Sequence, residues 1–296
     1  MADDSEPRIH LDHATLRFGA RTIWADLTLD VAPGEFVAVL GPNGSGKTSL
    51  LKTLLGLAPL TSGTVQVCGR PPHKGSSVVG YIPQQKGFDR DIPLRGRDFV
   101  RLGLDGHRWG TPLPNKKVAA AVQHAIESVG AADYADAPLG LLSGGEQQRL
   151  RVAQSLMGDP KVLLCDEPLL SLDLNHQQAV TALIDARRKQ AHTSVLFVTH
   201  EVNPVLPLVD RILYLVDGRW AIGTPDEVLT SERLTDLYGT EIDVLHVRGR
   251  IIVVGGPESA HAEPGASHHH HPHDDDHEPD LVIGRRGRRS PHASDH

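Results

Sequence analysis

Three groups of residues have the types and spacing to handle phosphate chemistry. The run Gly41-Pro-Asn-Gly-Ser-Gly-Lys-Thr48 fits the pattern G-x-x-x-x-G-K-[ST]. Its glycines let successive backbone N–H groups turn inward around an anion. Lys47 can reach the outer phosphates of a nucleotide, and the Thr48 hydroxyl can ligate Mg2+. Further on, Val162-Leu-Leu-Cys-Asp-Glu-Pro168 ends an apolar run on two carboxylates. Asp166 suits the shell of a Mg2+ ion, and Glu167 suits a base that orients an attacking water. An adjacent acid pair can also be a solvated strand end, and the phosphate loop is what favours the chemical reading. Between the two, Ser143-Gly144-Gly145 opens a helix carrying Leu150, Val152, Ala153 and Leu156, which is a ready anion site at a helix N-terminus. A fourth group has different chemistry. His268, His269, His270, His271, His273 and His277 surround Asp274-Asp-Asp276, and imidazole with carboxylate suits Zn2+ and related divalent ions. The same run also reads as a solvated tail or a short purification tag.

Positioning such groups takes a strand before the glycine loop and a helix after it. Phe36-Val-Ala-Val-Leu40 is a continuous apolar run, as expected of a strand buried on both faces, and Leu50, Leu51, Leu54 and Leu55 follow at helical spacing. Residues 161–166, 194–199 and 211–216 read as further buried strands, and 174–190 as a helix. Strands alternating with helices predict a parallel sheet covered on both faces. Residues 8–31 read as two strands with a turn, 61–85 as alternating segments with two turn clusters, and 97–157 as helices. Residues 242–254 read as a small hairpin turning at Arg248-Gly249.

Composition sets the outer limits. The chain has 296 residues, of which 39% are hydrophobic and 4% aromatic, enough apolar surface for a core. Its longest apolar run falls far short of the roughly 20 residues that span a bilayer. Met1 to Pro7 is acidic and polar and does not read as a signal peptide. Cys68 and Cys165 are the only cysteines, which fits a reducing compartment. Of the net charge of −7, residues 257–296 carry −4. The remainder is close to neutral and lacks the positive field that nucleic acid requires. Nine of the 18 histidines lie at or after His261. Residues 257–280 are Pro, His, Asp, Glu and small residues, too polar to build a core.

Leu142-Ser-Gly-Gly-Glu-Gln147, lying between the phosphate loop and the acid pair, resembles the linking motif of the ATP-binding cassette (ABC) ATPases, and the resemblance extends over roughly residues 8–240. It implies an α/β P-loop NTPase over 1–240, with an antiparallel β subdomain and a helical subdomain at about 85–158. A C-terminal β-hairpin at 241–256 and a disordered His/Asp-rich tail at 257–296 complete the expected organisation. It implies that ATP is bound by Gly41, Asn43, Gly44, Ser45, Gly46, Lys47, Thr48 and Ser49, with Phe18 stacking on adenine. It further implies that Thr48, Gln84 and Asp166 hold Mg2+, that Glu167 is the base, and that His200 is a switch holding the γ-phosphate and the attacking water. Ser143, Gly144, Gly145 and Gln147 would come from the second subunit of a head-to-tail homodimer, and Ser171-Leu-Asp173 would touch the opposite subunit. Such a protein works peripherally on the cytoplasmic face of the membrane with an integral permease, and indirectly with an extracytoplasmic metal-binding protein.

The region Lys86-Gly-Phe-Asp-Arg-Asp-Ile-Pro93, with Arg97 to Gly103 and Leu237 to Asp243, resembles the zinc/manganese importer branch. Siderophore and haem importers share much of it. Relatives that act on DNA carry a long coiled-coil insertion, and those that act on ribosomes carry two cassettes in one chain. This sequence has neither, and no nucleic-acid partner is expected.

Overall fold

The structure is a computed structural model that describes residues 6–84, 87–105, 115–170 and 172–255. The tail expectations, including all six metal-candidate histidines from His268 to His277, lie outside the described residues, as does Ser171.

In chain order, β1 (Ile9–Phe18) and β2 (Arg21–Val31) precede β3 (Phe36–Leu40) and α1 (Lys47–Leu54). They are followed by β4 (Ser62–Val67), β5 (Val79–Ile82), α2 (Gly96–Asp105), α3 (Lys116–Ser128) and α4 (Gly144–Leu156). Next come β6 (Val162–Asp166), α5 (Leu174–Ala191), β7 (Ser194–Val198), β8 (Arg211–Val216) and β9 (Arg219–Gly223). The short helices α6 (Pro225–Val228) and α7 (Ser231–Tyr238) lead to β10 (Asp243–Val247) and β11 (Arg250–Val254). A six-stranded sheet has the order β5-β6-β7-β3-β8-β9, and a three-stranded sheet the order β2-β1-β4. The three-stranded sheet is antiparallel.

The central sheet is parallel from β5 to β8. The expectation of an all-parallel sheet needs correction at one edge, where β9 returns antiparallel to β8. Asp217 and Gly218 both take positive φ there, 44° and 84°, and a two-residue turn of that kind folds a strand directly back on its neighbour. The alternating stretch at 61–85 is divided between sheets: β4 joins the antiparallel one, β5 the parallel one.

Alternation along the central strands explains the unbroken apolar runs. Val37, Val39, Leu164, Leu196 and Leu213 pack with α1 and the three-stranded sheet. Ala38, Leu163, Cys165, Phe197 and Ile212 pack on the other side with the helices α2 to α5. Successive strand residues point to opposite faces, so both faces demand apolar side chains. The hairpin β10-β11 turns at Arg248 and Gly249, both at positive φ.

Candidate functional site

Parallel pairing of β6, β7 and β3 brings three C-terminal strand ends side by side, where open α/β sheets bind ligands. Asp166 and Glu167 come from the first, Thr199 and His200 from the second, and the glycine loop from the third. Neighbouring strands lie about 4.8 Å apart, which is the spacing at which their end residues can meet.

The loop closes tightly. Gly41 has φ 138°, and a Cβ there would sit 2.0 Å from the Leu215 carbonyl oxygen, so only glycine seats the loop against the end of β8. Lys47 is 5% exposed, and its Nζ donates to the carbonyls of Gly41 at 2.6 Å and Pro42 at 2.9 Å. Asn43 and Gly44 are exposed, and Ser49 lies in the first turn of α1. The Ser45 hydroxyl is buried without a hydrogen-bond partner. An orphaned hydroxyl beside a buried cation, at the start of a helix, fits an anion such as a nucleotide phosphate.

Thr48 donates its hydroxyl to Asp166 Oδ1 at 3.3 Å, and Tyr81 donates to Oδ2 at 3.4 Å. Asp166 is only 4% exposed. Burial pushes its carboxyl up; the Thr48 bond opposes that shift, and the charge of Glu167 adds to it. Burial, and then the charge of Asp166, pushes the Tyr81 hydroxyl up to about 12. A buried carboxylate whose charge is disfavoured, beside a hydroxyl, is a hard-oxygen pair that suits Mg2+.

Glu167 sits one residue further on with φ 49°. Its side chain is engaged at both oxygens: Gln84 Nε2 donates to Oε2 at 2.9 Å, and His200 Nε2 pairs with Oε1. The structure therefore brings Thr48 to Asp166, and Gln84 and His200 to Glu167. Phe18 ends β1 and is 55% exposed.

Ser143 caps α4. Its hydroxyl accepts from the Glu146 N–H, while the Glu146 carboxylate accepts from the Ser143 N–H at 2.8 Å. Ser143 and Gly144 are exposed, and Gly145 is buried against the imidazole of His176, the third residue of α5. A Cβ on Gly145 would fall 2.2 Å from His176 Cδ2. Asp173 caps α5 and holds that imidazole, with His176 Nδ1 at 2.8 Å from its carboxylate. Gln147, expected at the nucleotide of the second subunit, faces inward in the single chain. It is 5% exposed, and its Nε2 donates to the carbonyls of Leu139 at 3.1 Å and Leu142 at 3.0 Å. One turn into the helix, its phase points it into the protein.

Motif reading missed three groups at this site. Arg21 donates to the Gly44 carbonyl at 3.0 Å, and Tyr81 and His176 take the places described above. None belongs to a spaced pattern; Arg21 arrives from the three-stranded sheet, Tyr81 through pairing of β5 with β6, and His176 through helix packing. Among the described residues, no three or more His, Cys, Asp or Glu side chains are placed to hold a metal ion, and no helix is long and apolar enough to cross a membrane.

The manganese transport system ATP-binding protein of Bacillus subtilis (strain 168) is 31% identical over 250 residues, covering 84% of this chain and 99% of that one. This chain belongs to the ABC transporter ATPases. The ABC transporter family model matches residues 24–170. The zinc transport system ATP-binding protein of Treponema pallidum (strain Nichols) is 34% identical, covering 79% of this chain and 88% of its own. Among solved structures, an ABC transporter of metal-chelate type in an inward-facing conformation superposes with a TM-score of 0.71 at 25% identity. That match covers 84% of this ABC ATPase and 96% of the other chain. An ATP-binding cassette in its ADP conformation superposes with a TM-score of 0.69 at 18% identity, covering 80% and 100%, which shows the shared ABC fold.

Proposed function

We propose that this ABC ATPase powers uptake of a divalent metal ion, zinc or manganese, through a separate integral membrane permease. The observation that carries the cargo is the manganese-system relative, alike over nearly its whole length, with a zinc-system relative beside it. The protein would work as a head-to-tail homodimer at the cytoplasmic face of the membrane, served indirectly by an extracytoplasmic metal-binding protein.

In this reading the loop from Gly41 to Ser49 cradles the phosphates of ATP, and Phe18 stacks on adenine. Lys47 exchanges its two backbone carbonyls for phosphate oxygens. Thr48, Asp166 and Gln84 would hold Mg2+, which when bound supplies positive charge at the β- and γ-phosphates. Glu167 orients the attacking water once Gln84 and His200 release its oxygens, and His200 then turns to the γ-phosphate. Ser143 and Gly144 of the second subunit close the site through their exposed backbone, with Gly145 seating the helix start beneath His176. Phosphoryl transfer needs little covalent help, so positioning and charge stabilisation carry the reaction. The histidines from His268 to His277 would add zinc sites separate from the ATPase.

The test is uptake of radiolabelled zinc and manganese in cells lacking this chain. Loss of one metal, restored by the native chain and not by Glu167→Gln, supports the proposal. Intact metal uptake with loss of ferric-siderophore or haem uptake would favour the second reading, which the metal-chelate-type structure supports.

A further inference from the structure

The loop that carries His200 is held partly from outside the ATPase sheet. At its near end, the Thr199 N–H donates to the Val39 carbonyl at 3.2 Å, and the Thr199 hydroxyl donates to the Glu201 carbonyl at 2.9 Å. At its far end, Asn203 turns its side chain to the C-terminal hairpin. Its Nδ2 donates to the Ile251 carbonyl at 2.9 Å, and its Oδ1 accepts from the Ile251 N–H at 2.9 Å. Ile251 stands opposite His246 in the hairpin. At alternate positions of an antiparallel pair both backbone groups face outward, and here the asparagine amide takes both of them. One side chain thus does for β11 what a neighbouring strand would do. The other strand is tied back separately, by Val244 N–H donating to Ser231 Oγ of α7 at 2.9 Å.

Between the loop and the hairpin lies a cavity of 270 Å³, walled by Gly41, Pro42, His200, Tyr214, Tyr238 and Ile251 among others. It gives the loop open space on the hairpin side. The same cavity touches the first residues of the phosphate loop, so the hairpin, the nucleotide loop and His200 share one boundary.

We propose that Asn203 is a positioning residue for ATP hydrolysis: by latching the His200 loop to β11, it makes the hairpin a brace that limits how far His200 travels between Glu167 and the γ-phosphate. The proposal rests on the role given to His200 above. Ligation of the nucleotide by the phosphate loop does not pass through Asn203, so the latch bears on turnover rather than on ATP affinity.

The test uses the full chain with Asn203→Ala and Asn203→Asp. The alanine variant loses both bonds; the aspartate keeps the acceptor for Ile251 N–H and loses the donor. Asn203→Ala is expected to lower kcat about tenfold with KM for ATP changed less than about twofold, because a misplaced group costs turnover and not ground-state binding. Asn203→Asp is expected to fall between, and amide exchange at Ile251 should quicken most in the alanine variant. In a His200→Ala background, Asn203→Ala should cause no further loss of single-turnover rate. An unchanged kcat in both variants would overturn the proposal, and so would a further loss in the His200→Ala background, since that marks a general structural effect. Should the alanine variant fail to fold, the aspartate variant carries the same comparison. His200→Ala with native turnover would instead overturn the reading of His200 itself, so the two failures are distinguishable.

Discussion

Glu167 combines a left-handed backbone with a carboxylate engaged by Gln84 and His200. A non-glycine residue in that conformation costs on the order of 1–3 kcal/mol, and the hydrogen bond from its N–H to the Val198 carbonyl at 3.0 Å helps to hold it. Glu167→Gln keeps the shape and removes the carboxylate proposed as the base. ATP should still bind, turnover should fall at least about a hundredfold, and the variant should elute from a sizing column as an ATP-bound dimer. Native phosphate release from that variant would remove Glu167 from the role. Lys47→Ala should keep the native far-ultraviolet circular dichroism while ATP affinity measured by calorimetry drops about thirtyfold, the worth of one charge-assisted bond of roughly 2 kcal/mol. Unchanged affinity would contradict the phosphate-loop assignment. These two residues could be singled out in the sequence because their types and spacing follow the phosphate-loop and acid-pair patterns. Arg21 and Tyr81 could not be: Arg21 reaches Gly44 from the other sheet, and the pairing of β5 with β6 brings Tyr81 to Asp166, both from positions with no motif of their own. The inward bonds of Gln147 to Leu139 and Leu142 were hidden for the opposite reason: it belongs to a motif, but nearness along the chain does not reveal which side of a helix a residue takes.

Two helix starts meet where Gly145 of α4 rests under His176 of α5. Gly145→Ala should reduce ATPase activity sharply, because its methyl group and the imidazole cannot share that space. Adding His176→Ala should recover much of the loss; a double variant no better than the single would disconnect the two helices. The cap of α5 has its own acid dependence. The N–H and then the imidazole of His176 hold the Asp173 carboxyl below its ordinary value of 3.8. A lowered folded value means that the cap's contribution is complete above about pH 4 and is lost as pH falls through the folded value. Asp173→Asn retains an acceptor for the helix N–H but no longer titrates. Urea unfolding between pH 5 and pH 2.5 should therefore show a shallower acid decline in the variant, and identical slopes would refute the assignment. At this scale the buried strands and the hairpin turn were readable from apolar runs and turn residues. The strand β9 escaped, because Arg-Trp-Ala-Ile-Gly directly after Asp217-Gly218 looks like the tail of a loop until β8 is there to pair with it.

Across the whole molecule, the ATP-site candidates end by His200, whereas the histidine-rich stretch begins only at His261, well past β11. A chain ending at Gly256 should fold, dimerise with ATP and hydrolyse it while losing extra zinc sites. In the full chain those sites should fill near pH 7.5 and empty near pH 5.5, because an unperturbed imidazole protonates with a pKa of about 6.5. Zinc titration of both chains at both pH values decides this; equal stoichiometry, or loss of ATPase activity on truncation, would end the idea. The class of fold was open to inspection in the sequence because a sheet buried on both faces leaves unbroken apolar runs. Strand order was not, because nothing in Phe36 to Leu40 names its neighbours. That order matters during synthesis. β3, at the middle of the sheet, leaves the ribosome about 150 residues ahead of β7 and further ahead of β8, an interval of roughly 8 to 30 s at ordinary elongation speeds. Through that interval an aggregation-prone segment waits with neither flanking strand made, in the company of α1 and the β1-β2 pair. The phosphate loop is spelled out early, yet the Leu215 carbonyl that seats Gly41 is among the later parts to appear. If the glycine loop holds the nucleotide as proposed, nucleotide capture is expected to arrive late in the life of the nascent chain, and a ribosome stalled before β8 is expected to present the full glycine motif without a working grip on ATP.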